Sequence, residues 1–376
     1  MKRDIVNHSD VVNHSDQGEM ECKLATDVIP FAGVNLRIVR RDISGEDAGD
    51  TDASPTSNAD GEDDDDWVDP NFFDDGYTVA ATTGFCRVWE GAEVLTRLLE
   101  DDSDDDTSLR RRVAGKRVLE LGAGVGLCGI AAASAGAHVM CTDLEAVVEG
   151  VIYRNIGENT DTSSETGTAH TSSSSSSPPW RMSEHIAGGN GGTCVAQVLD
   201  WTTSIDASIQ AQRRLSARRR VLSREDTTGA TSWPCIGKDD DVTDDDDDAQ
   251  CVNDPRDCEL VMAAECLWLR ELVDPFCETV IDLMRAARER RGIELPCVLS
   301  FRDRSSKDKD KDKVKADEGG ESPGGESPLG AFVPVSDVVS AFEAKGCGWR
   351  TLHASPSTED AGYHVHVFEI TPPPVA

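Results

Sequence analysis

The segment 117–135 constrains the fold of this chain more than any other. Residues 117–121 (RVLEL) are mostly apolar and have the length of a buried strand, and residues 127–135 are small, apolar and compatible with a helix. Between them, Gly122, Gly124 and Gly126 form a tight turn. Glycines at such a turn let a ligand approach the backbone, and the first amides of the helix face that ligand. The segment therefore predicts strand, glycine turn and helix, with a binding site at the turn.

The alternation of strands and helices continues along the chain. Residues 138–143 predict a second strand, and apolar residues at helical spacing predict a helix over 144–155. Further strands are predicted at 194–201, 259–264, 297–301, 349–353 and 363–370, and further helices at 84–99, 272–290 and 335–345. Strands separated by helices form a parallel sheet, whereas the last two strands follow one another directly and predict an antiparallel edge hairpin. The sequence thus predicts an α/β fold with a mostly parallel seven-stranded sheet.

The remaining residues interrupt this pattern and predict one domain with insertions. Residues 1–25 are polar, contain a tandem Val-Asn-His-Ser-Asp repeat, and predict a disordered tail before a single domain at 26–376. Within 27–39, the second half alternates as a half-buried strand does. Acidic runs and Ser/Gly-rich stretches predict disordered insertions, because like charges repel one another and stay solvated. These flexible insertions are predicted at 44–76, 158–192, 203–256 and 304–329.

Composition limits the partners of the chain. Its formal net charge is −34, with 71 acidic and 37 basic residues, which disfavours nucleic acid and is compatible with a basic protein partner. The 12 cysteines include no Cys-x-x-Cys pair and no Cys/His cluster with zinc spacing, so no metal site is predicted. Several cysteines lie in apolar stretches, and no signal peptide or bilayer-spanning run is present. We therefore expect a soluble protein of the cytoplasm, with the nucleus as a second compartment, and no membrane partner.

Two acids accompany the glycine turn and bear on the cofactor. Glu120 lies in a strand expected to be buried, where a carboxylate needs a cationic partner such as the amino group of S-adenosylmethionine. Asp143 ends the second strand, where an acid in nucleotide-binding folds accepts hydrogen bonds from ribose hydroxyls. Residues 124–129 also satisfy the dinucleotide pattern Gly-x-Gly-x-x-Gly. The glycines and Asp143 fit either cofactor, while Glu120 favours the methyl donor.

Several segments carry a resemblance to a known family. They are GFCRVWEGA at 84–92, VLELGAGVGLCG at 118–129, Thr-Asp at 142–143, NIGEN at 155–159 and Leu-Asp-Trp at 199–201. In this order they resemble the motifs of the seven-stranded (class I) S-adenosylmethionine-dependent methyltransferases, and within them the family 16 group of protein-lysine methyltransferases. The resemblance covers about residues 27–370 without the insertions. It implies a Rossmann-like, doubly wound sheet.

The resemblance also implies a role for each matched position. Trp89 and Trp201 would flank the cofactor, and Ala264 would touch it. The residues that would pass beneath the cofactor are Gly122, Ala123, Gly124 and Gly126. Together with Glu120 and Asp143, these residues form the predicted cofactor site.

The acceptor side of the site departs from the family pattern. The segment AAECLW at 263–268 stands where the family usually has Ala-Asp-x-x-Tyr, so Glu265 replaces Asp and Trp268 replaces Tyr at the edge of the substrate channel. These two residues are the catalytic candidates. A lysine must lose its proton before it attacks in line, and a channel of aromatic and acidic side chains would assist that loss. Arg302 and Arg304 would border the entrance.

The predicted function is methyl transfer from S-adenosylmethionine to a lysine side chain of a protein, by a monomer. Transfer to another nitrogen acceptor is one alternative, and a non-catalytic binding module of the same fold is another. A nicotinamide-dependent oxidoreductase is disfavoured because no segment resembles its catalytic residues. Intact Glu120, turn glycines and Asp143 disfavour the binding module.

Overall fold

The computed structural model describes residues 4–6, 24–41, 87–103, 107–161, 177, 179–188, 190–225, 252–267, 269–303, 333–359 and 362–374. Its strands are β1 (Asp4–Val6), β2 (Leu24–Phe31), β3 (Val34–Arg41), β4 (Arg117–Leu121), β5 (His138–Asp143), β6 (Glu184–His185), β7 (Thr193–Val198), β8 (Leu260–Ala264), β9 (Cys297–Asp303), β10 (Gly348–Pro356) and β11 (His364–Thr371). Its helices are α1 (Glu90–Glu100), α2 (Leu109–Val113), α3 (Leu127–Ser134), α4 (Glu145–Val147), α5 (Tyr153–Glu158), α6 (Ile205–Glu225), α7 (Val273–Arg291) and α8 (Val335–Ala344). A π-helical turn at Val148–Ile152 joins α4 to α5.

The main sheet of the described chain has eight strands in the order β10-β11-β9-β8-β4-β5-β7-β6. The pairs from β9 to β7 are parallel, and β10, β11 and β6 pair antiparallel with their neighbours. All seven predicted strands are present, and the eighth strand, β6, has only two residues at the edge beside β7. The predicted fold is therefore confirmed.

Helices cover both faces of this sheet because successive residues of a strand point to opposite faces. Val118 of β4 packs in one core with Leu95 of α1 and Ile130 of α3. Leu119 packs in a second core on the other face, together with Phe276 of α7 and Phe342 of α8. Burial on both faces explains why most residues of the central strands are apolar. No helix in the described ranges is long and apolar enough to cross a membrane.

An N-terminal hairpin replaces the single strand predicted within residues 27–39. The strands β2 and β3 pair antiparallel, with Phe31 opposite Val34. The two residues between them, Ala32 and Gly33, have φ angles of 46° and 86°. Positive φ at both positions is what a tight two-residue hairpin turn needs, because its twist then matches that of the strands. The turn signal is weak in the sequence, since Ala seldom adopts positive φ.

The disordered tail predicted for residues 1–25 differs from the structure at two places. β1 pairs antiparallel with β2, with Asp4 opposite Val28, and β2 itself begins at Leu24. Three residues are too few to show an alternation in the sequence. They form a strand because β2, which is distant in sequence, supplies the partners for their backbone hydrogen bonds.

The insertion predicted at 203–256 is corrected over its first part, where α6 occupies Ile205–Glu225. Ile205, Ile209 and Leu215 of this helix are buried. Together with the buried Ser208 and Gln212 they follow helical spacing, but the polar members and the Arg-rich composition around them obscured it. The insertions predicted at 44–76 and 304–329 lie outside the described residues.

Part of the insertion predicted at 158–192 also packs on the domain. Trp180 is buried, and its Nε1–H donates to the carbonyl oxygen of His138 at 2.8 Å (N to O). The guanidinium of Arg117 lies 5.4 Å from the centre of the Trp180 ring. This tryptophan therefore ties the insertion to the starts of β4 and β5.

Candidate functional site

A cavity of about 300 Å³ opens at the carboxyl ends of β4, β5, β7 and β8. This is the edge at which open α/β sheets bind ligands. Its lining comprises Arg87, Trp89, Ala92, Glu120, Gly122, Ala123, Gly124, Val125, Leu127, Cys128, Asp143, Leu144, Leu199, Asp200, Trp201, Thr202, Ala264, Glu265, Cys266 and Leu272. The structure thus brings eight of the nine residues predicted to bind a cofactor around one cavity.

The ninth of these residues, Gly126, is not part of the lining. It precedes α3 with φ of 81°, and its amide nitrogen donates to the carbonyl oxygen of Ala123 at 2.8 Å. Gly122, with φ of 64°, faces the cavity. A Cβ at Gly122 would lie 2.7 Å from Cβ of Cys266 and 3.0 Å from the Trp201 ring. Glycine at position 122 therefore allows close packing against Cys266 and Trp201, whereas glycine at position 126 allows the left-handed backbone of the turn.

Asp143 joins the end of β5 to the glycine turn. Its Oδ2 accepts a hydrogen bond from the amide of Gly124 at 2.8 Å, and its Oδ1 accepts one from the amide of Leu144 at 2.7 Å. Burial raises the pKa of Asp143 to about 6, although these two hydrogen bonds act in the opposite direction. Each oxygen keeps a second lone pair for a ligand at the cavity.

Glu120 lies at the bottom of the cavity and is 2% exposed. Its Oε2 atom is buried and accepts no hydrogen bond from the residues that the structure describes. Burial raises the pKa of Glu120 to about 8, and the nearby Cys141 thiol and Gly129 amide offset only part of this effect. A Cβ at Gly129 would lie 2.4 Å from Oε2, so α3 packs directly over the carboxylate. Such a buried acid is stabilised by a cationic ligand.

The two tryptophans that were predicted to flank the cofactor, Trp89 and Trp201, line the cavity. The guanidinium of Arg87 lies 4.0 Å from the centre of the Trp89 ring, within the range of a cation–π interaction. Trp201 packs edge-on against Phe276, with ring centres 5.2 Å apart. Its Nε1 is buried and has no hydrogen-bond partner among the described residues.

Of the two catalytic candidates, the structure places only Glu265. This buried residue lines the cavity with φ of 55°, an uncommon conformation for a residue other than glycine. Its Oε1 accepts a hydrogen bond from the amide of Gly91 in the first turn of α1 at 3.2 Å. The amide of Glu265 donates to the carbonyl oxygen of Ser300 at 2.9 Å. Trp268 and Arg304 lie outside the described residues.

A polar network beside the cavity was not predicted from the sequence. Glu90, at the start of α1, accepts hydrogen bonds from Ser357 and Thr358, in the residues that follow β10. Arg302 lies 3.9 Å from the Glu90 carboxylate and 3.1 Å from that of Glu359. Burial alone would raise the pKa of Glu90, but the hydrogen bonds and Arg302 lower it overall. Arg302 thus holds the turn after β10 against α1 rather than standing free at an entrance.

Replacing Glu90 with Gln should lower the free energy of unfolding by about 1–3 kcal/mol at pH 7, because donors that face a buried carboxylate would then meet an amide group. Since the folded state lowers this pKa, the stabilisation is present above the unfolded pKa and is lost as pH falls through the folded pKa. Urea unfolding at pH 7 and pH 4 measures the difference. Glu294→Gln, at an exposed ion pair with Arg288, is the control and should change little. An equal effect of the two substitutions at pH 7 would contradict this account.

The remaining lining residues were not predicted individually. Most are sequence neighbours of predicted ones, and this adjacency was the available signal; they are Ala92, Val125, Leu127, Cys128, Leu144, Leu199, Asp200, Thr202 and Cys266. Arg87, two residues before Trp89, had the same signal, whereas Leu272 had none. No group of three or more His, Cys, Asp or Glu side chains among the described residues could hold a metal ion.

Part of this chain is similar in sequence to known proteins. Residues 79–171 match a family model described as lysine methyltransferase. The match contains Trp89, the glycine turn and Asp143, and it confirms over these residues the resemblance predicted from the sequence. A 72-residue stretch is 46% identical to the protein N-lysine methyltransferase METTL21A of Danio rerio, covering 19% of this chain and 29% of that protein. The chain thus aligns with less than a third of that relative's length.

Two solved methyltransferase structures also show a distant similarity to this chain. Magnesium protoporphyrin IX methyltransferase from Synechocystis, with bound S-adenosylhomocysteine, is 12% identical with a TM-score of 0.36, over 78% of this chain and 85% of that one. A precorrin-6y C5,15-methyltransferase from Geobacter metallireducens is 11% identical with a TM-score of 0.28, over 74% and 87% of the two chains.

Proposed function

We propose that this chain is an S-adenosylmethionine-dependent N-methyltransferase that transfers a methyl group to a lysine side chain of a protein. The observation that carries the proposal is Glu120, which lines the cavity beside the glycine turn and whose buried Oε2 has no hydrogen-bond partner among the described residues. A buried carboxylate needs a cation, and the methionine amino group of this cofactor is one. The lysine methyltransferase match over residues 79–171 supports lysine as the acceptor.

The other cavity residues fit the remaining parts of the cofactor. Gly122 leaves its backbone accessible where any side chain would collide with Trp201. Asp143 retains lone pairs that can accept hydrogen bonds from ribose hydroxyls. Trp201 offers a buried N–H and Trp89 an aromatic surface at the cavity. The set therefore matches a ligand with a cationic end, a ribose and an aromatic base.

When bound, S-adenosylmethionine supplies a methyl group on a positively charged sulfur to an amine that attacks in line. The chain's own task is to bind, orient and exclude water. Glu120 would hold the amino group, and Asp143 the ribose. Glu265, fixed to the start of α1 through Gly91, is the proposed wall of the acceptor channel. Its carboxylate would attract a lysine ammonium. That negative charge by itself keeps the proton on lysine, so release of the proton to water would depend on burial of the amine among apolar side chains, which lowers the lysine pKa.

The setting of the reaction is also proposed. We infer a monomer that works in the cytoplasm, with the nucleus as a second compartment, on a basic protein segment. The net charge of −34 supports attraction to such a segment and opposes binding to nucleic acid or an anionic membrane. Light scattering after size-exclusion chromatography tests the monomer, and a mass of twice 40.5 kDa would contradict it.

The cofactor proposal predicts that S-adenosylhomocysteine stabilises the protein and NAD does not. A ligand that binds only the folded state at about 100 times its Kd adds about 2.7 kcal/mol to the free energy of unfolding. Thermal unfolding with each compound measures this effect. Stabilisation by NAD alone would indicate an oxidoreductase, and no response to either compound would favour a non-catalytic binding module.

The acceptor proposal predicts methylated lysine in a protein. Lysate proteins incubated with labelled S-adenosylmethionine and this protein should gain label, and peptide mass spectrometry should place it on lysine. Glu120→Gln, which retains the fold but lacks the proposed amino-group partner, is the control and should give little label. Label on another nitrogen would retain the reaction class and exclude the lysine acceptor.

A further inference from the structure

Two asparagines, Asn155 within α5 and Asn159 at the C-cap of that helix, hold the open edge of the N-terminal hairpin. Asn155 donates from Nδ2 to the carbonyl oxygen of Val39 at 2.9 Å and accepts from its amide at 2.8 Å. Asn159 does the same at Arg37, with distances of 2.8 Å and 2.9 Å. Both asparagines are almost fully buried. Each side-chain amide thus takes the place of a neighbouring strand residue.

Helix and strand geometry explain why this spacing works. Residues four apart in a helix are separated by about 6 Å along its axis. Residues two apart in a strand are separated by about 6.7 Å and point their backbone groups to the same edge. Arg37 and Val39 are two apart, and Asn155 and Asn159 are four apart. One turn of α5 therefore matches one repeat of β3.

Asn155 alone also reaches the glycine turn. Its Nδ2 donates a second hydrogen bond to the carbonyl oxygen of Val125 at 2.7 Å, and Val125 lines the cavity. The second Nδ2 bond of Asn159 goes to the carbonyl oxygen of Asn155, also at 2.7 Å. Both residues therefore donate one bond to β3 and one elsewhere. Of the two bonds that go elsewhere, only the one from Asn155 ends at a residue that lines the cavity.

The hairpin itself is fixed on the domain, so it can serve as a support. Ile29 and Ile38 are buried in the same core as Leu95 and Leu99 of α1. The amide of Ala32, in the hairpin turn, donates to a carboxylate oxygen of Glu100 at 3.0 Å. A residue bonded to this hairpin is therefore anchored to α1 through the hairpin.

We propose that Asn155 is a positioning residue that fixes the glycine turn against the N-terminal hairpin, which makes the hairpin a structural part of the cofactor site. This hairpin precedes the stretch 79–171 that matches the family model. The hydrogen bonds from Asn155 to the carbonyl oxygens of Val125 and Val39 set the distance between the turn and β3. The consequence for cofactor binding rests on the proposed function; the consequence for the turn does not.

The test compares Asn155→Asp with the matched control Asn159→Asp. Each substitution removes two donated hydrogen bonds and one of the two side-chain contacts with β3. Hydrogen exchange of the full-length protein without cofactor is followed at the amides of Ala123, Gly124 and Gly126, which all donate hydrogen bonds in the structure. Asn155→Asp should speed their exchange by about tenfold, as expected for the loss of one hydrogen bond, and Asn159→Asp by less than about twofold.

Calorimetry with S-adenosylhomocysteine adds the functional readout. Its Kd should rise about tenfold in Asn155→Asp and stay within about twofold of the wild type in Asn159→Asp. Equal exchange at the turn in both variants, or a change confined to β3, would overturn the inference. If the wild type does not bind the compound, the proposed function fails, while the exchange comparison still decides the role of Asn155. Should Asn155→Asp not fold, Asn155→Ala with Asn159→Ala repeats the comparison without added charge.

Discussion

Replacing Glu120 with Gln should stabilise the protein at neutral pH and at the same time weaken its binding of S-adenosylhomocysteine. The folded state raises the pKa of Glu120 from its usual 4.5 to about 8 through burial. Between these values the folded protein binds more protons than the unfolded chain, so its stability falls as pH rises. One pKa unit corresponds to about 1.4 kcal/mol, which makes a gain on the order of 1–3 kcal/mol reasonable for Gln at pH 7. Urea unfolding should show a gain that is small at pH 5 and grows toward pH 8.

The same substitution should raise the Kd of S-adenosylhomocysteine by about ten- to hundredfold, because a hydrogen bond to a charged group is lost. In the wild type, the cationic ligand should draw a proton off Glu120. Affinity should therefore increase with pH up to about 8. Calorimetry in buffers of different ionisation enthalpy measures the released proton. Without such a release, and with unchanged affinity in the variant, Glu120 would not be the partner of the amino group.

Glu259→Gln provides a control in which the expected change in stability has the opposite sign. Glu259 lies at the other end of the sheet, where it accepts a hydrogen bond from the amide of Arg117 at 3.0 Å and lies 3.4 Å from Lys116. Burial would raise its pKa, but the Arg117 amide and Lys116 lower it overall. Its Gln variant should lose stability, more so above pH 5 than below, and bind S-adenosylhomocysteine normally. If the removal of any carboxylate had the same general effect, the stability of both variants would change in the same direction, which would contradict this account.

Local patterns in the sequence were sufficient to predict the sheet and several of the residues that line the cavity. The strand of Glu120, the glycine turn and the acid at Asp143 each lie within a few residues of the signal that identifies them. An acid in an apolar strand is unusual enough to indicate a ligand. The cavity confirms that these residues come together.

Contacts between distant segments could not be predicted in this way. Glu90 and Thr358 are 268 residues apart, and nothing near either residue indicates their hydrogen bonds. Asn155 and Val39 are separated by 116 residues, although the four-residue spacing to Asn159 was visible as a motif. Spacing shows that two side chains share a helix face, but their partner depends on how the chain packs. The helix α6 was missed for another reason, since composition outweighed periodicity.

Replacing Gly122 with Ala should impair both stability and cofactor binding. The left-handed backbone at φ of 64° costs a residue with a side chain about 1–2 kcal/mol. The added Cβ would also lie 2.7 Å from Cβ of Cys266 and 3.0 Å from the Trp201 ring, and such overpacking costs about 1–3 kcal/mol. Because Cys266 and Trp201 line the cavity, their displacement should raise the Kd of S-adenosylhomocysteine by at least about tenfold.

Gly126→Ala separates the two causes, since Gly126 has the same kind of backbone, with φ of 81°, in the same turn. A Cβ there would meet its nearest atoms, in Ile130 and Ile152, at 3.7 Å and 3.8 Å, which is ordinary contact. This variant should therefore lose about 1–2 kcal/mol of stability from backbone strain alone and bind the compound within about twofold of the wild type. Urea unfolding and calorimetry on both variants give the comparison. If Gly126→Ala lost as much affinity as Gly122→Ala, strain in the turn rather than contact at the cavity would govern binding.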